Sequence, residues 1–241
     1  MANKTKIEWC DYTINPVKGL CPVGCQYCYA RAMYKRFKWN QEIRYDRYLM
    51  PEMIEGIQQP SRIFVGSTME LFGEWIYPHW MEHIFTMVKH YKEQTFIFLT
   101  KKPENLIKWS PFPDNCWIGI SCTKQSMYNE ALTHLDMIQA SVKFISFEPL
   151  LSEIVSQPPY DIETSNLDWI IIGQQTPVRS STMPGVGWIQ EIIQAADTAG
   201  IPVFLKDNLV PVVDQYEFAT TGVWPDIHLR QEFPKVPIRT R

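Results

Sequence analysis

The sequence predicts an α/β fold built on a parallel sheet, and three observations point to it. Six short β-rich runs are apolar nearly throughout, as strands covered on both faces are: Arg62 to Val65, Thr95 to Leu99, Trp117 to Ile120, Lys143 to Phe147, Trp169 to Ile172 and Pro202 to Leu205. Helix-forming segments with polar turns lie between them. Proline and glycine fall where helices begin and end, with Pro78 near one start and Gly200 just after one end. Alternation of strand and helix means βαβ units.

At 241 residues the chain is long enough for one large domain with a sizeable core, and its net charge is −3. That charge excludes a global basic field, though not a local basic patch. Met1 to Lys6 is short and polar and no run approaches transmembrane length, which predicts a cytoplasmic protein in a reducing compartment.

Taken in order, Lys4 to Trp9 reads as a short strand leading toward Asn15-Pro16-Val17. A cysteine-rich loop follows, then a helix over Ala30 to Trp39 with Arg31, Lys35 and Lys38 at helical spacing. Together with Arg36, Arg44 and Arg47 this is the most basic region of the chain. A charge run is ordinarily a solvated face, and that is the reading here; contact with a phosphate-bearing substrate is the alternative. Further helices are expected over Pro51 to Gln58, Pro78 to Lys92, Pro103 to Trp109, Gln125 to Ile138 and Gly187 to Ala199. Pro158 to Asn166 reads as an inserted loop. His79 and His83 are four apart without a third ligand nearby, and Trp75, Trp80 and Trp188 read as packing.

The loop is Cys21-Pro-Val-Gly-Cys25-Gln-Tyr-Cys28-Tyr29. Three cysteines spaced C-x-x-x-C-x-x-C can bend round one face of a metal cluster. Thiolates are the usual ligands of iron–sulfur clusters, and three of them leave one iron of a four-iron cluster open. Pro22 and Gly24 suit a tight loop with inward amides. A zinc site needs a fourth ligand, for which Cys10, Cys116 and Cys122 are the spare candidates, and no second C-x-x-C pair follows.

With Tyr27 in the aromatic slot before the third cysteine, the loop resembles the signature of radical S-adenosylmethionine (radical SAM) enzymes. The resemblance implies a partial (β/α) barrel of the radical SAM type with about six parallel strands. It also implies a [4Fe-4S] cluster on Cys21, Cys25 and Cys28, and SAM on the fourth iron. An electron donor such as flavodoxin or ferredoxin would reduce the cluster. The resulting 5′-deoxyadenosyl radical would abstract hydrogen from a substrate.

Each expected strand ends in polar residues, where parallel barrels carry their chemistry: Gly66-Ser-Thr-Met-Glu70, Thr100-Lys101-Lys102, Ser121-Cys122-Thr123, Glu148-Pro149, Gly173-Gln-Gln-Thr176 and Lys206-Asp207-Asn208. Ile7-Glu-Trp9, Asn15-Pro-Val-Lys-Gly19, Leu99-Thr-Lys-Lys-Pro-Glu104, Phe147-Glu-Pro-Leu-Leu151 and Val203-Phe-Leu-Lys206 widen the resemblance, from Thr5 to Asn208, to a phage-associated family of radical SAM-like proteins of unassigned function. Members commonly carry Gly-Gly-Glu-Ser where this chain has Gly173-Gln-Gln-Thr176, and more residues between the first two cysteines.

The resemblance implies that Gly66, Ser67 and Thr68 hold the SAM amino group, largely through backbone carbonyls. Ser121 and Glu148 would hold its ribose or carboxylate. Lys101 would meet the SAM carboxylate or an anionic substrate, and Lys206 and Asp207 would face the substrate. Glu148 also reads as half of an ion pair, with Lys101 or Lys206 as its partner. A nucleotide or nucleic-acid substrate is the class that phage association suggests. Residues 209–241 would form an extension capping the barrel, with Trp224-Pro225 and His228-Leu-Arg230 as its notable residues. The alternatives are a non-catalytic metal- or nucleic-acid-binding module on the same fold, and an iron–sulfur electron carrier that does not use SAM.

Overall fold

A computed structural model describes residues 4–158, 160–212 and 230–235. Among them, β1 (Tyr12–Ile14), β2 (Val17–Lys18), α1 (Tyr29–Phe37), β3 (Arg44–Tyr45), α2 (Leu49–Ile54), β4 (Arg62–Val65) and α3 (Pro78–His90) follow in order. Then come β5 (Thr95–Thr100), β6 (Cys116–Ser121), α4 (Gln125–Asp136), β7 (Val142–Phe147), β8 (Trp169–Ile172), α5 (Val186–Ala199) and β9 (Val203–Leu205). Seven strands form one sheet in the order β1-β4-β5-β6-β7-β8-β9, while β2 and β3 make a separate antiparallel ribbon. Parallel register is set by pairs such as Ile14↔Val65, Ile63↔Phe96, Ile145↔Ile170 and Ile171↔Phe204. Each strand of this sheet lies beside the next one of the same sheet in chain order.

The described chain divides near the end of β6 into two compact units. One runs to Gly119 and includes Ile138–Ser141; the other holds Ile120–Met137 and the residues from Val142 on. In the first unit, α3 starts with Pro78 at its first position and turns Met81, Ile84, Phe85 and Val88 inward at i, i+3, i+4 and i+7. Phe85 meets Phe98 of β5 with ring centroids 5.5 Å apart. In the second unit, every residue of β8 and β9 is buried. Trp169 lies against Phe144 and Phe204, at 5.3 and 6.1 Å. Helix α5 buries Ile189, Ile192, Ile193 and Ala196, and ends at Gly200, whose left-handed φ of 69° lets its N–H reach back to Ala196 and Asp197.

Several expectations need correction. The first strand is Tyr12–Ile14, not Lys4 to Trp9; Lys4 makes only an isolated bridge to Tyr12. The sheet of seven strands agrees with the partial barrel of about six that was expected. A three-residue strand closed by Asn15-Pro16 is too short to show a period, and its pairing with β4 fixes it. The second helix begins at Leu49, with Pro51 inside its first turn, where no hydrogen bond is lost. Pro103–Trp109 is a 3₁₀ helix rather than an α-helix. It stops before Ser110-Pro111, where the residue preceding proline is pushed away from helical backbone. No helix among the described residues is long and apolar enough to cross a membrane.

Candidate functional site

The cysteine loop hangs between the β2–β3 ribbon and α1. Gly19 takes φ of 125°, and a Cβ there would fall 2.6 Å from the Glu42 carbonyl oxygen, so the loop leaves the ribbon through a position open to glycine alone. Its N–H donates to Tyr34 Oη at 2.8 Å, and the Leu20 N–H donates to the Gln41 carbonyl at 2.9 Å. Gly24, with φ of 71°, turns the chain back between the first two cysteines.

Cys28 is the N-cap of α1, and its Sγ accepts the Arg31 N–H at 3.5 Å. The Arg31 guanidinium donates to the Cys21 carbonyl at 2.6 Å, tying first and third cysteines together. Cys21, Cys25 and Cys28 line one small pocket, with Arg31 and Thr68 on its wall. Burial pushes the Cys21 thiol up, outweighing the backbone N–H groups of Glu70 and Val23 that face it. Metal binding at this sulfur would have to release its proton, because the thiolate is the ligand.

Three thiols on one pocket are the donor type that iron–sulfur clusters take. All three sulfurs are free thiols. Among the described residues no three His, Cys, Asp or Glu side chains converge as the ligands of a bare ion would. Tyr27 is half-buried in the same loop.

The loop after β4 is pinned by residues outside the predicted set. Gly66 has φ of 85°, its N–H donates to the Ile14 carbonyl, and its carbonyl accepts the Met69 N–H at 3.2 Å. Asn15 Oδ1 accepts the Thr68 N–H at 3.0 Å, and Asn15 Nδ2 donates to Ser67 Oγ at 3.1 Å. Tyr29 Oη donates to the Ser67 carbonyl at 2.9 Å, bringing α1 to this loop.

Glu70, only 7% exposed, accepts the Phe72 N–H at 3.0 Å, the Thr100 hydroxyl at 2.7 Å and the Lys101 N–H at 2.7 Å. Burial raises its pKa against these donors. Lys101 thus enters the site first through its backbone. Asn15, Tyr29 and Glu70 went unassigned from sequence. The available signal was one acid inside the apolar run Met69-Glu70-Leu71-Phe72, and an Asn-Pro that breaks a strand.

The second unit carries the other predicted residues. Ser121 ends β6 at 1% exposure, and its buried Oγ has no hydrogen-bond partner among the described residues. Glu148, after β7, pairs with Lys206, after β9, and both side chains are largely buried. Of the two partners expected for Glu148, this is the one found. Gly173, after β8, makes the pair possible: a Cβ there would lie 2.9 Å from Lys206 Cδ and 3.4 Å from Glu148 Cγ.

Gln174 and Asn208 bind each other through backbone and side chain, closing the ends of β8 and β9. Asp207 Oδ1 accepts from Gln231 at 2.9 Å, so this carboxylate is engaged within the protein. His83 Nδ1 bonds Tyr45 Oη, while His79 stacks on Tyr77 at 5.8 Å, so the two histidines have separate partners. Trp224, Pro225, His228 and Leu229 lie outside the described residues.

A family model described as a protein of unknown function (DUF5131) matches residues 4–213. No curated protein matches the chain. Among solved structures, the fold is similar to spore photoproduct lyase. A double mutant with bound AdoMet and dinucleoside spore photoproduct matches with TM-score 0.51 and 12% identity, over 82% of this chain and 64% of that one. A complex with dinucleoside spore photoproduct gives 0.50 and 12% over the same shares, and a cysteine-to-serine mutant gives 0.51 and 12% over 71% and 58%. The chain therefore spans less than two thirds of the length of these structures. At such identity the likeness is one of fold, and it agrees with the α/β partial-barrel class predicted from the sequence.

Proposed function

We propose, for a chain that belongs to the family described as a protein of unknown function (DUF5131), that it is a radical SAM enzyme. The observation that carries the proposal is the set of three free cysteines lining one pocket, with Cys28 capping α1 and Arg31 linking it to Cys21. Cys21, Cys25 and Cys28 would hold a [4Fe-4S] cluster. When bound, the reduced cluster with SAM would supply a 5′-deoxyadenosyl radical for hydrogen abstraction.

The chain's own residues supply position. The Arg31 N–H offers a donor to charge on the Cys28 sulfur, and the Glu70 and Val23 N–H groups do so at Cys21. Thr68 borders the cysteine pocket, and its loop is held by Asn15, Tyr29 and Gly66, which suits Gly66, Ser67 and Thr68 to a SAM amino group. In the second unit, the unpartnered Ser121 hydroxyl has the capacity that a ribose or carboxylate needs. The Glu148–Lys206 pair of the second unit is proposed for polar contacts to SAM or substrate, and Lys101 is proposed separately for a contact to the SAM carboxylate or an anionic substrate. The lyases of similar fold bind a dinucleoside, and that supports a nucleotide or nucleic-acid substrate for this chain.

Protein reconstituted without oxygen should hold about four irons and four sulfides per chain. With SAM and dithionite it should form 5′-deoxyadenosine. The triple variant Cys21→Ala, Cys25→Ala, Cys28→Ala should lose both iron and product. Zinc in place of iron, or a triple variant that keeps its cluster, would overturn the proposal. A full cluster with no SAM cleavage, with or without added nucleic acid, would favour the electron carrier instead.

A further inference from the structure

The end of α1 carries an exposed aromatic platform set among cations. Phe37 and Trp39 are 51% and 44% exposed, yet they are ordered against each other, with ring centroids 5.4 Å apart and planes 22° from parallel. The buried Tyr34 meets Trp39 edge-on at 5.4 Å, and the Trp39 N–H donates to the Tyr34 carbonyl at 3.2 Å. What folds Trp39 back is Lys38, which stands at φ of 51° and ψ of 39°. It is the one residue other than glycine with positive φ among the described residues. This left-handed cap closes α1, with the Lys38 N–H also turned to the Tyr34 carbonyl, and it holds Trp39 beside Phe37.

The charge around the platform is one-sided. Between residues 29 and 48 stand six Lys and Arg against two carboxylates, in a chain whose net charge is −3. Lys35, Arg36, Lys38, Arg44 and Arg47 are exposed. Arg36 lies over the Phe37 ring at 5.3 Å, and Arg47 over the exposed Tyr48 ring at 5.4 Å. An all-cationic solvated face needs no exposed stacked rings, and a greasy protein contact would not be ringed by cations. Rings for unpaired bases with cations for phosphates are how single strands are held without sequence preference.

We propose that this surface binds a single-stranded polynucleotide, with Phe37 and Trp39 stacking on bases and the surrounding Lys and Arg meeting phosphates. The inference deepens the proposed function by giving its substrate class a place on the molecule, and rests on that reading for the class alone. It is read by binding rather than turnover, so the two fail separately.

The experiment measures anisotropy of labelled oligothymidylate and oligouridylate with the full reconstituted chain, without SAM, across a salt series. Duplex DNA and anionic vesicles serve as competitors. Phe37→Ala and Trp39→Ala should each weaken binding about tenfold, the scale of one lost base stack, while circular dichroism shows both variants folded. Lys38→Gly relieves the positive φ while removing one cation, so it should keep the fold and flatten the slope of log affinity against log salt by about 0.7. Absence of strand binding at low salt, alanine variants that bind as the parent does, or competition by duplex or vesicles equal to that by single strand would each overturn the proposal.

Discussion

At the scale of single residues, the site depends on a few groups whose neighbours are distant in sequence. Glu70 joins the turn after β4 to the end of β5 by accepting three donors in a buried place. Replacing it with alanine strands two backbone N–H groups and a hydroxyl away from water. The expected loss is about 3 kcal/mol, against about half that for Glu70→Gln, which keeps one acceptor. Denaturant midpoints of the two variants check this, and an alanine variant within about 1 kcal/mol of the parent would remove Glu70 as a tie. That Cys21, Cys25 and Cys28 would share one pocket was legible because spacing within a single loop is a local property. Glu70, Asn15 and Tyr29 were not, because a hydrogen bond spanning some thirty to fifty positions leaves no spacing to read.

At the scale of elements, the apolar runs named β4 and β8 to the residue and the other expected strands to within one residue at either end. Period and punctuation sufficed where a segment was long and buried. They failed where it was short, as in β1, or where a proline sat inside the helix start, as in α2.

Two glycines show what sequence alone does not separate. Both Gly66 and Gly200 have positive φ. A Cβ on Gly66 would fall 2.7 Å from buried Leu71, whereas one on Gly200 meets nothing within 4 Å. Gly200→Ala should cost about 1 kcal/mol, from backbone alone. Gly66→Ala should cost about 3 kcal/mol, because backbone strain and overpacking add. Thermal melting of both variants decides it; equal losses would mean that space around Gly66 plays no part.

At the scale of the whole molecule, a parallel sheet ends in an edge that must be covered. Residues 230–235 cover the β9 edge. The Leu205 N–H donates to the Arg230 carbonyl at 2.7 Å, and the Glu232 N–H to the Val203 carbonyl at 3.2 Å. Phe233 lies 5.5 Å from Trp169 and 5.3 Å from Phe204. Glu232 Oε2 accepts the Val203 N–H at 2.9 Å and pairs with Arg230 at 3.0 Å. Burial works to raise its pKa, but Arg230 and the Val203 N–H win and hold it below the ordinary glutamate value of 4.5.

The stability this carboxylate contributes is therefore full above that ordinary value, and is lost as pH falls through the lowered one. Glu232→Ala should cost about 1 kcal/mol near pH 7, discounted because the pair is partly exposed, and the difference should shrink below pH of about 4.5. Parallel stability curves at all pH values would sink the assignment.

By itself the sequence determined the α/β class, six strands of the parallel sheet and the closeness of the three cysteines in one loop, since buried strands must be apolar and residues a few positions apart share one turn. Only the tertiary structure decided that Lys206 rather than Lys101 pairs with Glu148, that Glu70 locks two strand ends, and that Phe37 and Trp39 stand together at the surface. Those outcomes depend on which side chains meet after the chain has folded, and on a left-handed Lys38 whose conformation no residue type announces.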